Sequence, residues 1–296
     1  MAACARPAGI LKTLRIFLET IKFSHTVFAL PFAFTGAVLA AQGLPSLYQG
    51  FWILMAMVGA RTAAMGLNRL IDAEIDAANP RTSNRAIPAG LLTKKGVAVC
   101  VAAALALLFV SAWMLNPLCL YLSPLAVLLL VMYSYCKRFT SLSHLVLGLC
   151  LAAAPLGAWI AVRGSLGLPA LLLGVAVVFW VAGFDILYAL QDLDFDRSAG
   201  LHSIPARLGV RGALLSARLC HAITVGMLFW VHVAAGLGAA YLAGVILAAL
   251  LLAYEHWLVR DGDLARLDAA FFTVNGYISI AVFVFTAVDF IIGFGP

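Results

Sequence analysis

Charge is what this sequence has least of. Only 11% of its 296 residues are Asp, Glu, Lys or Arg, where a soluble domain carries roughly 25%. That scarcity excludes a soluble globular protein of ordinary composition. It argues against a nucleic-acid role too: the formal charge is +6, but a solvated basic face needs polar surface that this chain does not have. Alternating strand-length segments are absent, which removes a transmembrane barrel. Cysteines at metal or redox spacing are absent as well. Cys4, Cys100, Cys119, Cys136, Cys150 and Cys220 are scattered, mostly in apolar runs, and read as small buried side chains. An obvious cleavage site is missing around the apolar run at about 23–41. That run is too long for a signal-peptide core and reads as the first spanning helix.

What is there is hydrophobic: 64% of the residues, with a mean hydropathy of +1.05. The apolar runs are about 20 residues long, the length at which an α-helix crosses a bilayer. Gly, Pro and charge divide them into nine spans, at about 15–41, 50–78, 96–115, 118–136, 143–163, 168–196, 210–234, 238–259 and 269–293. The expectation is an all-α integral membrane bundle of nine transmembrane helices in one domain, 1–296. The short breaks at 42–49, Asn116-Pro117 and 164–168 imply tight hairpins. Lys and Arg collect at the N-terminal tail and in the loops after the second, fourth, sixth and eighth spans, with only Arg163 opposite. The positive-inside rule then makes the N-terminus and those loops cytoplasmic, in an inner-membrane protein with its C-terminus outside.

Against this apolar background one stretch stands out. Asn68, Asp72 and Asp76 are four residues apart, so on one helix they would form a polar stripe, each drifting about 40° and rising about 6 Å. A shift of 120 residues lays them onto Tyr188, Asp192 and Asp196, and Ala86-Ile87-Pro88-Ala89 is soon echoed by Ser203-Ile204-Pro205-Ala206. A four-helix unit therefore occurs twice, in halves of about 15–136 and 143–259, followed by one further helix. Seven of the 13 acidic residues fall in the two stretches: Asp72, Glu74, Asp76, Asp185, Asp192, Asp194 and Asp196. Carboxylates at membrane depth are costly and mark function. Glu74 and Asp194 point away from the stripes and read as solvated.

Oxygen donors without a His or Cys cluster suit Mg²⁺, which keeps waters and shares its shell with phosphates. Arg81, Arg85, Lys137, Arg138 and Arg207 stand near the acids, with the forks and point charges that phosphate takes. Any one of them alone would pass for an ordinary positive-inside residue. Together they imply a metal-diphosphate site at the membrane surface, above an apolar chamber, for a substrate with a diphosphate head and a lipid tail.

These residues resemble the motifs of the UbiA superfamily of intramembrane aromatic prenyltransferases. Asn68, Asp72 and Asp76 match its Asn-xxx-Asp-xxx-Asp motif, and Asp185, Tyr188, Asp192 and Asp196 its second. The loop Asn79-Pro80-Arg81-Thr82 with Arg85, the spacing Tyr133-xxx-Lys137, Lys22-Phe23-Ser24-His25 and Lys137-Arg138-Phe139-Thr140 match as well. The resemblance implies a nine-helix bundle with a cytoplasmic-side active site, Mg²⁺ as cofactor, and three partners: polyprenyl diphosphate, an aromatic hydroxy-acid acceptor and membrane lipid. It carries Asn68, Asp72, Asp76, Asp192 and Asp196 over as metal and diphosphate ligands, and Arg81, Arg85, Lys137 and Arg138 as diphosphate binders.

The acceptor side is more open. Arg61 lies seven residues before Asn68, deeper on the same face, and either meets an aromatic carboxylate or makes a structural ion pair. Asp185, seven before Asp192, could orient or deprotonate a phenol. Tyr188 could hydrogen-bond a ligand or simply pack. His25 fits proton transfer or a structural hydrogen bond; Phe23, Phe28, Phe32 and Phe34 fit a prenyl groove or plain packing. The expected reaction is prenylation of a 4-hydroxybenzoate-like acid for ubiquinone. The alternative acceptor is a dihydroxynaphthoate for menaquinone, suggested by Phe23-Ser24-His25-Thr26 and Ser141-Leu142-Ser143-His144; protohaem farnesylation fits less well. A transporter of cations or lipid phosphates is the rival from another class, although transporters concentrate charge at the midplane, where this chain has little beyond Arg61 and Asp185.

Overall fold

A computed structural model of the chain describes residues 16–17, 19–20, 29–260 and 273–293, and all its regular elements are helical. In chain order they are α1 (Ala29–Ala41), α2 (Leu47–Ile71), α3 (Ala73–Ala78), α4 (Lys94–Leu115), α5 (Pro117–Cys136), α6 (Ser143–Arg163) and α7 (Leu168–Tyr188). A 3₁₀ turn (Ala189–Asp192) follows, then α8 (Leu193–Ser198), α9 (Ile204–Ala235), α10 (Ala239–Leu258) and α11 (Asn275–Gly293). Eight helical segments are long and apolar enough to cross a membrane, and α1 is a shorter apolar helix. They overlap the nine expected spans, the first and last of which lie partly outside the described residues.

The helix ends follow from local chemistry. Ser46 and Gln49 form a capping box at the start of α2, supplying partners for the unpaired N–H groups there. Asn116 is the whole turn between α4 and α5. Its Oδ1 accepts from the Cys119 N–H at 2.9 Å, and its Nδ2 donates 2.8 Å to the Ile160 carbonyl of α6. Gly164 ends α6 in the left-handed region, at φ 69°, where only glycine sits without strain. Arg163 donates through Nε to the Ala40 carbonyl, closing the end of α1.

In the core, α7 is the central rod, packed between α6 and α9. Its Trp180 is fully buried, with Phe32 at 4.8 Å and Phe184 at 5.1 Å between ring centroids. Phe32 is therefore packing. Phe34 stands 6.2 Å from Phe283 of α11, while Phe23, His25 and Phe28 lie outside the described residues. Close helix contact depends on small residues, as membrane packing demands: a Cβ on Gly148 would come within 2.3 Å of the Val178 carbonyl of α7.

Four expectations need correcting. The second and sixth spans are not single helices through their motifs. Each breaks at its middle aspartate, Asp72 at φ −92°, ψ 8° and Asp192 at φ −102°, ψ 7°, the sparsely populated region where active-site residues gather. The hydrogen-bond ladder still crosses Asp72, from its N–H to the Asn68 carbonyl at 2.9 Å and from the Asp76 N–H to its own carbonyl at 2.7 Å, so the chain turns without losing partners. The Ile-Pro-Ala echo does not persist in structure: 86–89 lies in turns, whereas Ser203 caps α9 by accepting from the Ala206 N–H. That cap, with Pro205 in the first turn, starts α9 at Ile204 rather than near 210, and Gly209 at φ 70° takes up the bend. Finally, of the cysteines described only Cys136 is buried; Cys100, Cys119, Cys150 and Cys220 are half-buried.

Candidate active site

The two aspartate stretches come together at one end of the bundle, joined by side chains from two loops. The loop after α3 reaches across to the second stretch. Arg81 makes a two-pronged contact with Asp192, at 2.8 Å from Nε and 2.5 Å from Nη2, the geometry in which guanidinium binds carboxylate most strongly. Asn79 donates to the same carboxylate at 3.0 Å while its Oδ1 accepts from the Arg81 N–H at 2.9 Å, so the loop is held in shape as it crosses. The Arg81 guanidinium also lies over the Tyr188 ring, 5.4 Å from its centroid, and donates to the Tyr188 hydroxyl at 3.3 Å. Burial works against the Arg81 charge, but Asp192 and Tyr188 together hold it above the ordinary guanidinium range. Tyr188 is thus an arginine platform, which neither sequence expectation for it included.

Around the first stretch, Arg85 donates to Asp76 at 2.6 Å and buried Arg69 stands 3.9 Å from the other Asp76 oxygen. Asn68 donates to Asp72 at 2.6 Å and accepts from Arg69 at 3.1 Å. Arg138 donates 2.8 Å to the Ile71 carbonyl at the end of α2 and reaches Asp72 at 3.5 Å, a cation at the negative end of a helix dipole. Lys137, which caps the end of α5, is within electrostatic reach of Asp72, Asp192 and Asp196. Glu74 and Asp194 are exposed as expected; Glu74 stands 3.8 Å from exposed Lys94. Arg207 is exposed in the first turn of α9.

The donor set suits a hard cation. Asp76 and Asp196 each keep one buried carboxylate oxygen without a hydrogen-bond partner, an expensive state unless a cation completes it. Burial, reinforced by the Asp76 charge, pushes the Asp72 carboxyl above the usual carboxylate range against the pull of Arg138 and Lys137. Among the described residues no three acidic, His or Cys side chains converge tightly enough to cage an ion. That dispersed set of carboxylates fits Mg²⁺, which takes one or two carboxylates and leaves the rest of its shell to water and phosphate.

Beneath this polar lid lies a second, smaller group. Arg61 on α2 and Tyr133 on α5 are within electrostatic reach of each other, and Tyr133 senses Asp185 and Asp72 in turn. Arg61 Nε is buried with no hydrogen-bond partner. Asp185 is engaged by His144 Nδ1 at 2.7 Å.

The profile of the UbiA prenyltransferase family matches residues 29–277. The chain belongs to that family. It is a prenyltransferase, and the transporter reading is set aside. UbiA relatives include the 4-hydroxybenzoate octaprenyltransferases of Azoarcus sp. BH72 and of Aromatoleum aromaticum, each 32% identical over 86% of this chain and covering 88% and 85% of their own lengths. Among solved UbiA structures, the apo homologue from Aeropyrum pernix superposes with a TM-score of 0.82 at 36% identity, over 90% of this chain and 98% of that one. A homologue from Archaeoglobus fulgidus bound to DMAPP and Mg²⁺ shares the UbiA fold at 20% identity, TM-score 0.71, over 94% and 99% of the two chains.

Sequence reasoning gave no role to four side chains of this UbiA site: Arg69, Asn79, Tyr133 and His144. Asn79 and Tyr133 stood among the matching motif positions and His144 in the wording behind the naphthoate alternative, while Arg69 carried the signal of a guanidinium at membrane depth. The partners of Asn79 and His144 lie 113 and 41 residues away, so no local spacing announced those contacts.

Proposed function

We propose that this chain transfers a polyprenyl group from polyprenyl diphosphate to the ring of a 4-hydroxybenzoate-like acid, with Mg²⁺, in quinone biosynthesis. The observation that carries the reading is the joining of both aspartate motifs beneath one group of arginines and Lys137, above Arg61, whose buried Nε has no hydrogen-bond partner. The names of the octaprenyltransferase relatives and the DMAPP- and Mg²⁺-bound homologue support it.

In this reading Asn68, Asp72, Asp76, Asp192 and Asp196 would hold Mg²⁺, which when bound neutralises charge on the departing diphosphate. Arg81, Arg85, Lys137 and Arg138 bind the diphosphate oxygens, and Tyr188 keeps Arg81 aimed. The acceptor lies deeper, its carboxylate on Arg61 and its hydroxyl on Asp185. The allylic C–O bond breaks with its electron pair leaving on diphosphate, the ring carbon beside the hydroxyl forms the new C–C bond, and a ring proton is lost. The surrounding apolar helices exclude water that would otherwise capture the allylic cation. The loops that build the site face the cytoplasm, and the prenyl tail runs among the helices toward lipid.

A dihydroxynaphthoate offers the same carboxylate and ring hydroxyl to Arg61 and Asp185. The deciding assay uses membranes containing the protein, Mg²⁺, a prenyl diphosphate, and either 4-hydroxybenzoate or dihydroxynaphthoate. Prenylated hydroxybenzoate is the expected product; the naphthoate product alone would correct the acceptor, and no aromatic product from either would overturn the reading.

A further inference from the structure

Behind Asp185 stands a histidine that the reaction as described leaves unused. His144, at the start of α6, has no exposed surface, whereas the Asp185 side chain keeps 16%. Its Nδ1 lies 2.7 Å from Asp185 Oδ2, and its Nε2 lies 3.3 Å from the backbone nitrogen of Ile204. A backbone N–H only donates, so Nε2 must accept and the imidazole proton must sit on Nδ1. This assignment comes from the hydrogen-bond network. Nδ1–H then donates to Asp185 Oδ2, and the second oxygen of Asp185 is left for another partner.

The anchor point adds to this. His202, two residues before Ile204, donates its N–H to the Lys137 carbonyl at 2.7 Å. One short segment, 202–204, thus holds the backbone of Lys137 on the diphosphate side and the imidazole of His144 on the acceptor side.

We infer that His144 is a positioning residue for the aromatic acceptor: it fixes Asp185 in one orientation to receive the ring hydroxyl. This rests on the prenyl-transfer reading. The arrangement has the logic of a catalytic triad with the roles exchanged, the imidazole orienting and the carboxylate meeting substrate. The competing idea is that His144 merely fastens α6 to α9 through Ile204.

Three variants separate the two. His144→Leu removes both bonds, and kcat for the acceptor should fall about tenfold to hundredfold, the usual loss when a supporting hydrogen bond behind a functional group is removed. KM for the prenyl diphosphate should stay unchanged. His144→Asn keeps a donor at the Nδ1 position and gives up Ile204; it should recover most of the activity. His144→Gln reaches toward Ile204 and loses Asp185; it should remain impaired while melting at the wild-type temperature. Unchanged kcat in His144→Leu, or Gln outperforming Asn, would overturn the inference, and the Asn–Gln comparison still decides if the leucine variant does not accumulate. Failure of the wild-type protein to prenylate either aromatic acid would instead overturn the function reading, and this inference with it.

Discussion

Asp192 meets Asn79 and both prongs of Arg81, so a single carboxylate fastens one half of the site to the other. Asp192→Ala should abolish prenyl transfer while leaving a folded, membrane-inserted protein, and Asp72→Ala should do the same. Product analysis on purified variants checks both, and normal turnover in the pair would sink the metal-diphosphate site. Arg61→Ala tests the deeper group: losing one charge-assisted contact of about 1.5–3 kcal/mol should raise the acceptor KM at least tenfold, with prenyl diphosphate KM retained. At this scale the sequence was informative wherever spacing was local. The four-residue steps of Asn68, Asp72 and Asp76 and their second copy could be read directly. The fork from Arg81 and the imidazole behind Asp185 depend on how distant helices dock, which no local period encodes.

Elements behaved less simply than their composition implied. An unbroken helix through each motif was the natural expectation, because apolar periodicity reports burial and does not register a ψ angle that opens at one aspartate. That the break recurs at Asp72 and Asp192, each followed by a six-residue helix, shows that the two stretches are alike in backbone as well as in spacing. The helix contacts themselves rest on missing side chains. Gly148→Leu would drive carbon into the backbone of α7 at Val178, where nothing can rotate away. Overpacking of this kind costs about 1–3 kcal/mol, so the variant should melt at lower temperature in detergent while Gly157→Ala, which meets no neighbour within 4 Å, should not.

For the whole molecule, the useful contrast is between its two ends. One gathers the aspartates, arginines and Lys137. At the other, Arg163 is spent on closing α1, and Asp289 of α11 accepts from the N–H groups of Gly238 at 2.7 Å and Tyr241 at 3.1 Å, capping α10. Chelation should therefore stop turnover without unfolding the protein, with activity restored by Mg²⁺; loss of fold on chelation would assign the cation a structural role. Asp289→Ala should act conversely, lowering thermal stability by about 1 kcal/mol as lost caps do while turnover in the folded fraction is kept.

The Arg81–Asp192 fork also sets an order of assembly. Its partners are 111 residues apart, and at about 5–20 residues per second of synthesis the arginine waits on the order of ten seconds for its carboxylate. During that interval α4, α5 and α6 are made while Arg81 still lacks its carboxylate. The site can close only when α7 and its 3₁₀ turn arrive, so a nascent chain released before Asp192 would present Arg81 to the headgroups of the surrounding bilayer, whereas Arg85 already has Asp76 as its partner.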